Sequence, residues 1–461
     1  MPDGESVVGA RRMPASSEHT GVLRIGVLVD LAWTETAGGH VKCWERIAEA
    51  AARQPGSSID LTIHIQDRRA RSVALAPHVR FVTHRPIMST ARFHALDVGA
   101  DHTDLAPVHP ALLSCLRRYD VIHTTDAYFA YAKSAALSAR LWRKPLVTSL
   151  HTDTPAYTRI YSERILRRLL ADGIIADWVV DRCALPDRLA CGMRRRLARH
   201  IERSAWTLIG AQSDADLAEL AVDPARSSPL RRGIDRHCFT PARRNRALLA
   251  RGFGVPETAK LLLFVGRLDA AKGVRLLVEA AQQVIAGRPD IVVAFAGCGT
   301  ESQWIAQQLG SRALLLGQLE TSRLAEFYAA SDLFVFPSEM EISPNVVLEA
   351  KASGAVCVVA PGGGGRFVRR NGRDGIIVEG RDPRDWADAI CSLLGDATQR
   401  AEIGRAARLD IERRHPSWDD VFLEDLCPVW RAAASLGKRS GAARTSGSNV
   451  WHANPDSHSA S

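Results

Sequence analysis

No stretch of the 461-residue sequence reaches the roughly 18 uninterrupted apolar residues that a bilayer-spanning helix needs, and the first twenty residues are polar with no apolar secretory core. A cytoplasmic place is therefore expected. No two cysteines are spaced C-x-x-C, and the nine present are scattered and odd in number. Small buried apolar residues in a reducing compartment are expected of them, not zinc ligands or a disulfide framework. Aromatic residues make up only 6% of the chain and no recognition motif accompanies its basic residues, which argues against nucleic acid as a partner. A G-x-G-x-x-G fingerprint after the first strand is also missing, which counts against NAD.

What is present points to large folded cores. Apolar residues make up 46% of the chain, and its length suggests two or three domains. The 60 basic and 51 acidic residues leave a net charge of +9, which favours phosphate-bearing ligands or anionic lipid over cationic partners.

The first folded element is a strand-type run from Val22 to Val29, followed by a loop with Gly38-Gly39-His40 and a helical pattern from Val41 to Ala52. Short apolar runs recur at Leu61 to Ile65, Val79 to Val82, Val121 to His123, Pro145 to Ser149 and Thr207 to Ile209. Helix-like segments such as Ala127 to Trp142 and Asp214 to Ala221 lie between them. Near-apolar strands alternating with helices indicate a parallel sheet covered on both faces. The rhythm restarts after a stretch rich in Arg, Pro and Ser, Ser227 to Arg246, which reads as a linker. Strands are expected at Leu261 to Val265, Ile291 to Ala296, Leu314 to Leu316, Leu333 to Phe336, Val356 to Val359 and Gly375 to Val378, with a helix over Val274 to Ile285. The expected division is a disordered 1–20, an α/β domain over 21–230, a second over 231–416, a helix over 417–436 packing back on the first domain, and a disordered tail over 437–461. Ligands of such a pair are expected in the cleft, at the carboxyl ends of the strands.

Two motifs carry chemistry. In Glu341-Ile342-Ser343-Pro344-Asn345-Val346-Val347-Leu348-Glu349, Ser343 reads as a helix cap and Pro344 as part of the first turn. A helix N-terminus there favours a diphosphate through its free N–H groups and dipole. Glu349 then lies inside the helix, where a carboxylate can accept both hydroxyls of a ribose, and Glu341 in the loop can meet the hydroxyls of a transferred sugar. In Val265-Gly266-Arg267-Leu268-Asp269-Ala270-Ala271-Lys272-Gly273, Arg267 and Lys272 stand at a strand end and just before a helix, within reach of one diphosphate. Read alone, either motif reads first as an ordinary set of helix-end or turn charges; both at strand ends of one domain read as a site. Asp214-Ala215-Asp216 is formally D-x-D, but behind Ser213 it reads as a helix start, and no metal is required where two cations face the diphosphate. Gly362-Gly363-Gly364-Gly365 after a strand reads equally as a phosphate cradle or a flexible turn.

The C-terminal half resembles that of the retaining glycosyltransferases of family GT4, which have two Rossmann-like domains in the GT-B arrangement. The resemblance rests on Gly266-Arg267-x4-Lys272-Gly273, Gly297-Cys298-Gly299, Glu341-x7-Glu349 and Arg232-Gly233-Ile234-Asp235-x3-Phe239-x-Pro241, over residues 232–380. It implies transfer of a hexose from a UDP- or GDP-linked donor to an acceptor hydroxyl, with no cofactor. By the same resemblance Arg267 and Lys272 stabilise the diphosphate, Glu349 holds the ribose, Glu341 contacts the donor sugar, and Ser343, Asn345, Val346 and Gly266 belong to the donor site. His151, in Ser149-Leu150-His151, matches a family histidine that faces the donor sugar, and Gly38-Gly39 resembles the family's glycine loop. His40 and His123 rank below His151 for catalysis. Where many members carry an aromatic residue and Gly, this chain has Ser343-Pro344, and proline removes one backbone donor.

The leaving diphosphate calls for stabilised negative charge, supplied by Arg267, Lys272 and the helix N-terminus. The family implies same-face attack without a protein nucleophile, so none is assigned. Between Arg159 and Arg203 stand eleven arginines against six acidic residues, including Arg194-Arg195-Arg196 and Arg199 on one helix. Such a surface suits either anionic lipid at the inner membrane face or plain solvent. The competing readings are a GT-B sugar-nucleotide epimerase and a non-catalytic basic binding protein.

Overall fold

The computed structural model describes residues 21–34, 37–56, 58–90, 102–151, 153–171, 173–210, 220, 222–339 and 344–445, with side chains of the last helix as far as Leu436. Two sheets organise the chain. The first holds β1 (Leu23–Ala32), β2 (Ile59–Gln66), β3 (Ser72–Ala76), β4 (Val79–His84), β5 (Val121–Thr124), β6 (Leu146–Ser149), β7 (Trp206–Ile209) and β8 (Ser227–Pro229), in the order β3-β4-β2-β1-β5-β6-β7-β8. Its neighbours pair parallel, except that β3 runs antiparallel to β4. The second holds β9 (Lys260–Val265), β10 (Ile291–Ala296), β11 (Ala313–Gly317), β12 (Leu333–Phe336), β13 (Val356–Val359) and β14 (Ile376–Ile377), ordered β11-β10-β9-β12-β13-β14 and parallel throughout.

Strand β1 shows why these runs are apolar along their length. Successive side chains of a strand point to opposite faces. Ile25, Val27 and Val29 enter one core with Trp44 and Ile47, while Leu28 enters another with Leu112, Ala130 and Tyr131. Both faces are covered, so neither set is polar. Gly26 answers a different demand, since a Cβ there would stand 2.5 Å from the Tyr119 ring.

In each sheet the strand order reverses beside the first strand of its half, at β1/β5 and at β9/β12. Such switch points open a crevice beyond the carboxyl ends of the strands. The chain then returns to its first half: Trp418, Phe422, Leu426 and Trp430 are buried in the same core as β1. A capping box at Ser417 and Asp420 starts this segment.

Several expectations are corrected. Ser227–Pro229, read as the start of a linker, completes the first sheet by pairing with β7, which its Ser and Pro content hides from a periodicity search. The edge strand β3 has no counterpart in the sequence reading, because Val73-Ala74-Leu75-Ala76 is only a short run and its residues stay exposed or half-buried. The segment Trp418 to Ala434 is not one regular helix, since Val421–Leu426 forms a wider π turn between Trp418–Asp420 and Cys427–Thr445. That last helix runs to Thr445, past Gly437 where a disordered tail is expected. Pro344 stands at the cap of the helix Asn345–Ala352 and not inside its first turn, with no side-chain cap bond. Ser343, Glu341 and the Asp214-Ala215-Asp216 segment lie outside the described residues.

Candidate active site

A cleft of about 1290 Å³ opens between the two halves. One wall comes from the loops after β9, β10 and β12. Strand β9 ends in Gly266-Arg267, and the chain tightens into a short turn, Ala270–Lys272, whose Asp269 carboxylate accepts from Lys272 N at 3.1 Å. The same carboxylate lies 3.4 Å from Arg267 Nε. Lys272 is thereby drawn in and largely buried at the cleft. Gly273 follows with φ 73°, a left-handed conformation that glycine adopts without strain, and a Cβ there would press on the Pro337 carbonyl at 2.7 Å. The loop after β10 is locked to this one, with Leu268 N donating to Cys298 O at 3.0 Å and Glu301 N to Leu268 O at 2.9 Å.

The helix Asn345–Ala352 directs Glu349 and Lys351 to different surroundings. Lys351 is fully buried, with its Nζ 2.9 Å from Asp374 and 2.8 Å from Asp410. Glu349 lines the cleft, where its carboxylate accepts the Tyr328 hydroxyl at 3.1 Å. Burial lifts Glu349 to about 7, opposed by the Tyr328 hydrogen bond and the nearby Arg46 guanidinium. At the helix start, Asn345 Oδ1 is buried with no hydrogen-bond partner among the described residues.

The facing wall belongs to the first half. Gly38 caps the helix Gly39–Ala52, and both glycines line the cleft. His151, two residues beyond β6, is buried, stacks on His40 at 4.3 Å between ring centroids, and meets Ser149 Oγ through Nε2 at 2.8 Å. Burial holds its pKa well below the ordinary histidine value, reinforced by His40, Arg232 and His123. Burial likewise lowers His40 to about 3, with Arg232 adding to the effect. The two walls meet at Arg46, whose Nη2 donates to Thr321 Oγ1 at 2.9 Å. They meet again at Tyr161, whose pKa burial raises while Arg267 opposes the rise.

The cleft thus gathers His151, Arg267, Lys272 and Glu349 with Gly38, Gly39, Gly266, Asn345 and Val346. Glu341 and Ser343 lie outside the described residues. Of the glycine run after β13, Gly362 and Gly363 line the cleft. His123 sits one layer behind, hydrogen-bonded to Ser149 at 3.0 Å. The sequence motifs leave Arg46 out and contain Arg232 without a site role, yet both line the cleft. For Arg46 the signal is its place two turns into the helix that Gly38 caps; for Arg232 it is its position just before Gly233-Ile234-Asp235.

Such a cleft offers two cations and backbone loops to a diphosphate, a carboxylate to vicinal hydroxyls, and neutral imidazole to whatever lies between. The family model for glycosyl transferases group 1 matches residues 259–396, the half holding Arg267, Lys272 and Glu349. A D-inositol 3-phosphate glycosyltransferase of Geodermatophilus obscurus is 33% identical over 333 residues, covering 68% of this chain and 67% of that protein. Another, from Corynebacterium urealyticum, is 28% identical over 455 residues, 94% of this chain and 98% of that protein. Among solved structures, Anabaena HepE in complex with UDP and glucose has the same fold, with a TM-score of 0.60 at 18% identity over 92% of this chain and 100% of that one. Two parallel sheets facing across a loop-lined cleft, with these relatives over most of its length, make this chain a glycosyltransferase of the group 1 family with the GT-B fold.

Proposed function

We propose that the protein transfers a hexose, with retention of configuration, from a UDP- or GDP-linked donor to an acceptor hydroxyl. The observation that carries this reading is that Arg267, Lys272 and Glu349 line one wall of the cleft and His151 the other. Arg267 and Lys272 neutralise the leaving diphosphate, so no metal is needed for that task. Glu349, once ionised, accepts the two ribose hydroxyls, and His151 faces the donor sugar. The departing phosphate takes the acceptor proton on the same face of the sugar. The UDP and glucose bound by the Anabaena protein support a UDP-linked donor. The test is a panel of UDP- and GDP-sugars scored for slow hydrolysis and for thermal stabilisation, on wild type, Glu349→Ala and Lys272→Ala. One donor stabilising or turned over by the wild type alone supports the reading; no response in any of the three proteins overturns it. Sugar interconversion with no acceptor present would favour an epimerase.

For the acceptor, a lipid-borne glycan at an anionic membrane face is favoured by a second observation. The helices Thr154–Leu169 and Leu185–Arg203 form a hairpin that lines the cleft at its base, through Tyr157, Tyr161 and Leu197. Its far end exposes Leu169 (65%), Ile174 (88%), Ile175 (65%) and Trp178 (59%). An apolar tip with an amphipathic indole beside a basic helix suits insertion at the headgroup level. Among the described residues no helix is long and apolar enough to cross a membrane. Flotation with phosphatidylglycerol vesicles at rising salt tests this, and absence of binding at low ionic strength sinks it.

A further inference from the structure

Behind His151 runs a chain of buried hydrogen bonds whose direction is fixed from one end. Trp430 Nε1 donates to His123 Nδ1 at 3.1 Å. An indole nitrogen is a donor only, so Nδ1 of His123 accepts and a neutral His123 carries its proton on Nε2. Burial keeps that ring neutral, with its pKa lowered to about 3. His123 Nε2 then donates to Ser149 Oγ at 3.0 Å, and the Ser149 hydroxyl passes its own hydrogen to His151 Nε2 at 2.8 Å. His151 Nε2 is therefore an acceptor, and the ring proton of His151 sits on Nδ1.

That tautomer changes the meaning of a neighbouring contact. Arg232 Nη2 stands 3.4 Å from His151 Nδ1. Both atoms are donors, so neither satisfies the other. The opposite tautomer would let Nδ1 accept from Arg232, but it would aim two donors at Ser149 Oγ and leave the hydrogen of a fully buried hydroxyl without an acceptor. A contact at 3.4 Å is too long to compensate for that loss. The other contact of the Arg232 guanidinium is the Cys43 thiol, at 2.7 Å from Nη1, and no carboxylate meets it among the described residues. Two donors side by side, one of them charged and met by no carboxylate among the described residues, fit a single anionic oxygen between them.

We infer that His151 Nδ1–H and the Arg232 guanidinium form an anion subsite in the cleft, which takes an oxygen of a carboxylate or phosphate group carried by one of the sugar substrates. This rests on the reading of the cleft as a nucleotide-sugar site. The anionic oxygen has two sources, the C6 carboxylate of a hexuronosyl donor or the phosphate of a phosphorylated acceptor. A neutral hydroxyl would leave the guanidinium charge uncompensated. Trp430, His123 and Ser149 are positioning residues that hold the imidazole in its donor state.

Titrations of full-length wild type and Arg232→Gln with UDP, UDP-glucose and UDP-glucuronate, and with myo-inositol and myo-inositol 1-phosphate in the presence of UDP, test the assignment. In the wild type one acid-bearing probe binds roughly tenfold or more tightly than its neutral counterpart, and Arg232→Gln removes that margin while UDP affinity holds. UDP-glucuronate showing the margin assigns the subsite to the donor; inositol phosphate assigns it to the acceptor. No margin with UDP still bound overturns the subsite alone, as does an equal loss of UDP affinity in Arg232→Gln, which would give the charge to the donor diphosphate. Failure of the wild type to bind either UDP or GDP takes down the donor reading as well. Imidazole nitrogen-15 shifts give a readout independent of affinity. His151 Nδ1 reads as protonated in the wild type at neutral pH and shifts toward the other tautomer in Trp430→Phe, which keeps an aromatic ring but lacks the donor. An unprotonated Nδ1 in the wild type overturns the relay and the subsite with it.

Discussion

Tyr328 donates its hydroxyl to the Glu349 carboxylate at 3.1 Å, and that single bond does not offset the burial that lifts Glu349 to about 7. In the role proposed for Glu349, a carboxylate that accepts ribose hydroxyls works in its ionised form. UDP affinity should therefore rise by roughly tenfold between about pH 6 and about pH 8 and then level off. Titration of Glu349→Gln should be weak and flat across that range. The stability of the unliganded protein runs the other way. A carboxyl whose folded-state pKa is raised contributes fully below the ordinary carboxylate range and loses that contribution as pH rises through about 7. Thermal melts of wild type against Glu349→Gln across this window check the sign.

Arg267 and Lys272 approach the cleft from one loop, held by Asp269. Replacing either with Ala should weaken UDP binding by roughly tenfold to a hundredfold, the scale of a lost charge-assisted hydrogen bond or two. The double variant should lose less than the product, because both are proposed to meet one diphosphate. Calorimetric titration of the three variants decides it.

Lys351 faces Asp374 and Asp410 with no exposure to water. Lys351→Ala leaves two buried carboxylates facing one another, and should cost about 3–5 kcal/mol of stability as measured by urea unfolding. Glu349 belongs to the same helix, so donor binding should fall with it. Lys351→Arg, which keeps the charge but not the compact ammonium, should recover only part of the loss.

Removal of residues from Ser417 onward strips Trp418, Phe422, Leu426 and Trp430 from the core that also holds Ile25, Val27 and Trp44. Limited proteolysis of the shortened chain should cut within the first half and spare the second, whose core is formed by other residues. Cleavage spread evenly over both halves would show that the last helix does not support the first sheet in this way.

Much of this architecture is legible in the sequence because it is local. A strand buried on both faces reads as an apolar run, as at Leu261 to Val265 and Val356 to Val359, and the turns after such strands are where Arg267 and Lys272 stand. Short edge elements stay hidden, as the exposed β3 and the Ser- and Pro-built Ser227–Pro229 do, because their pairing depends on a neighbouring strand more than on burial of their own side chains. The π turn at Val421–Leu426 is equally silent, since its composition does not differ from that of an ordinary helix.

The two βα series, the motif residues at their strand ends and the chemistry those residue types can perform are written locally in the order of residues. Their electrical state is set by packing and contacts between distant parts of the chain. Burial in the folded chain lifts Glu349 to about 7, against the pull of the Tyr328 hydrogen bond and the Arg46 guanidinium. His151 carries its proton on a particular nitrogen because Trp430, 307 residues away from His123, donates at the far end of a buried chain. Residue identity sets which protons a group can hold, whereas burial and long-range hydrogen bonds set which of them it keeps.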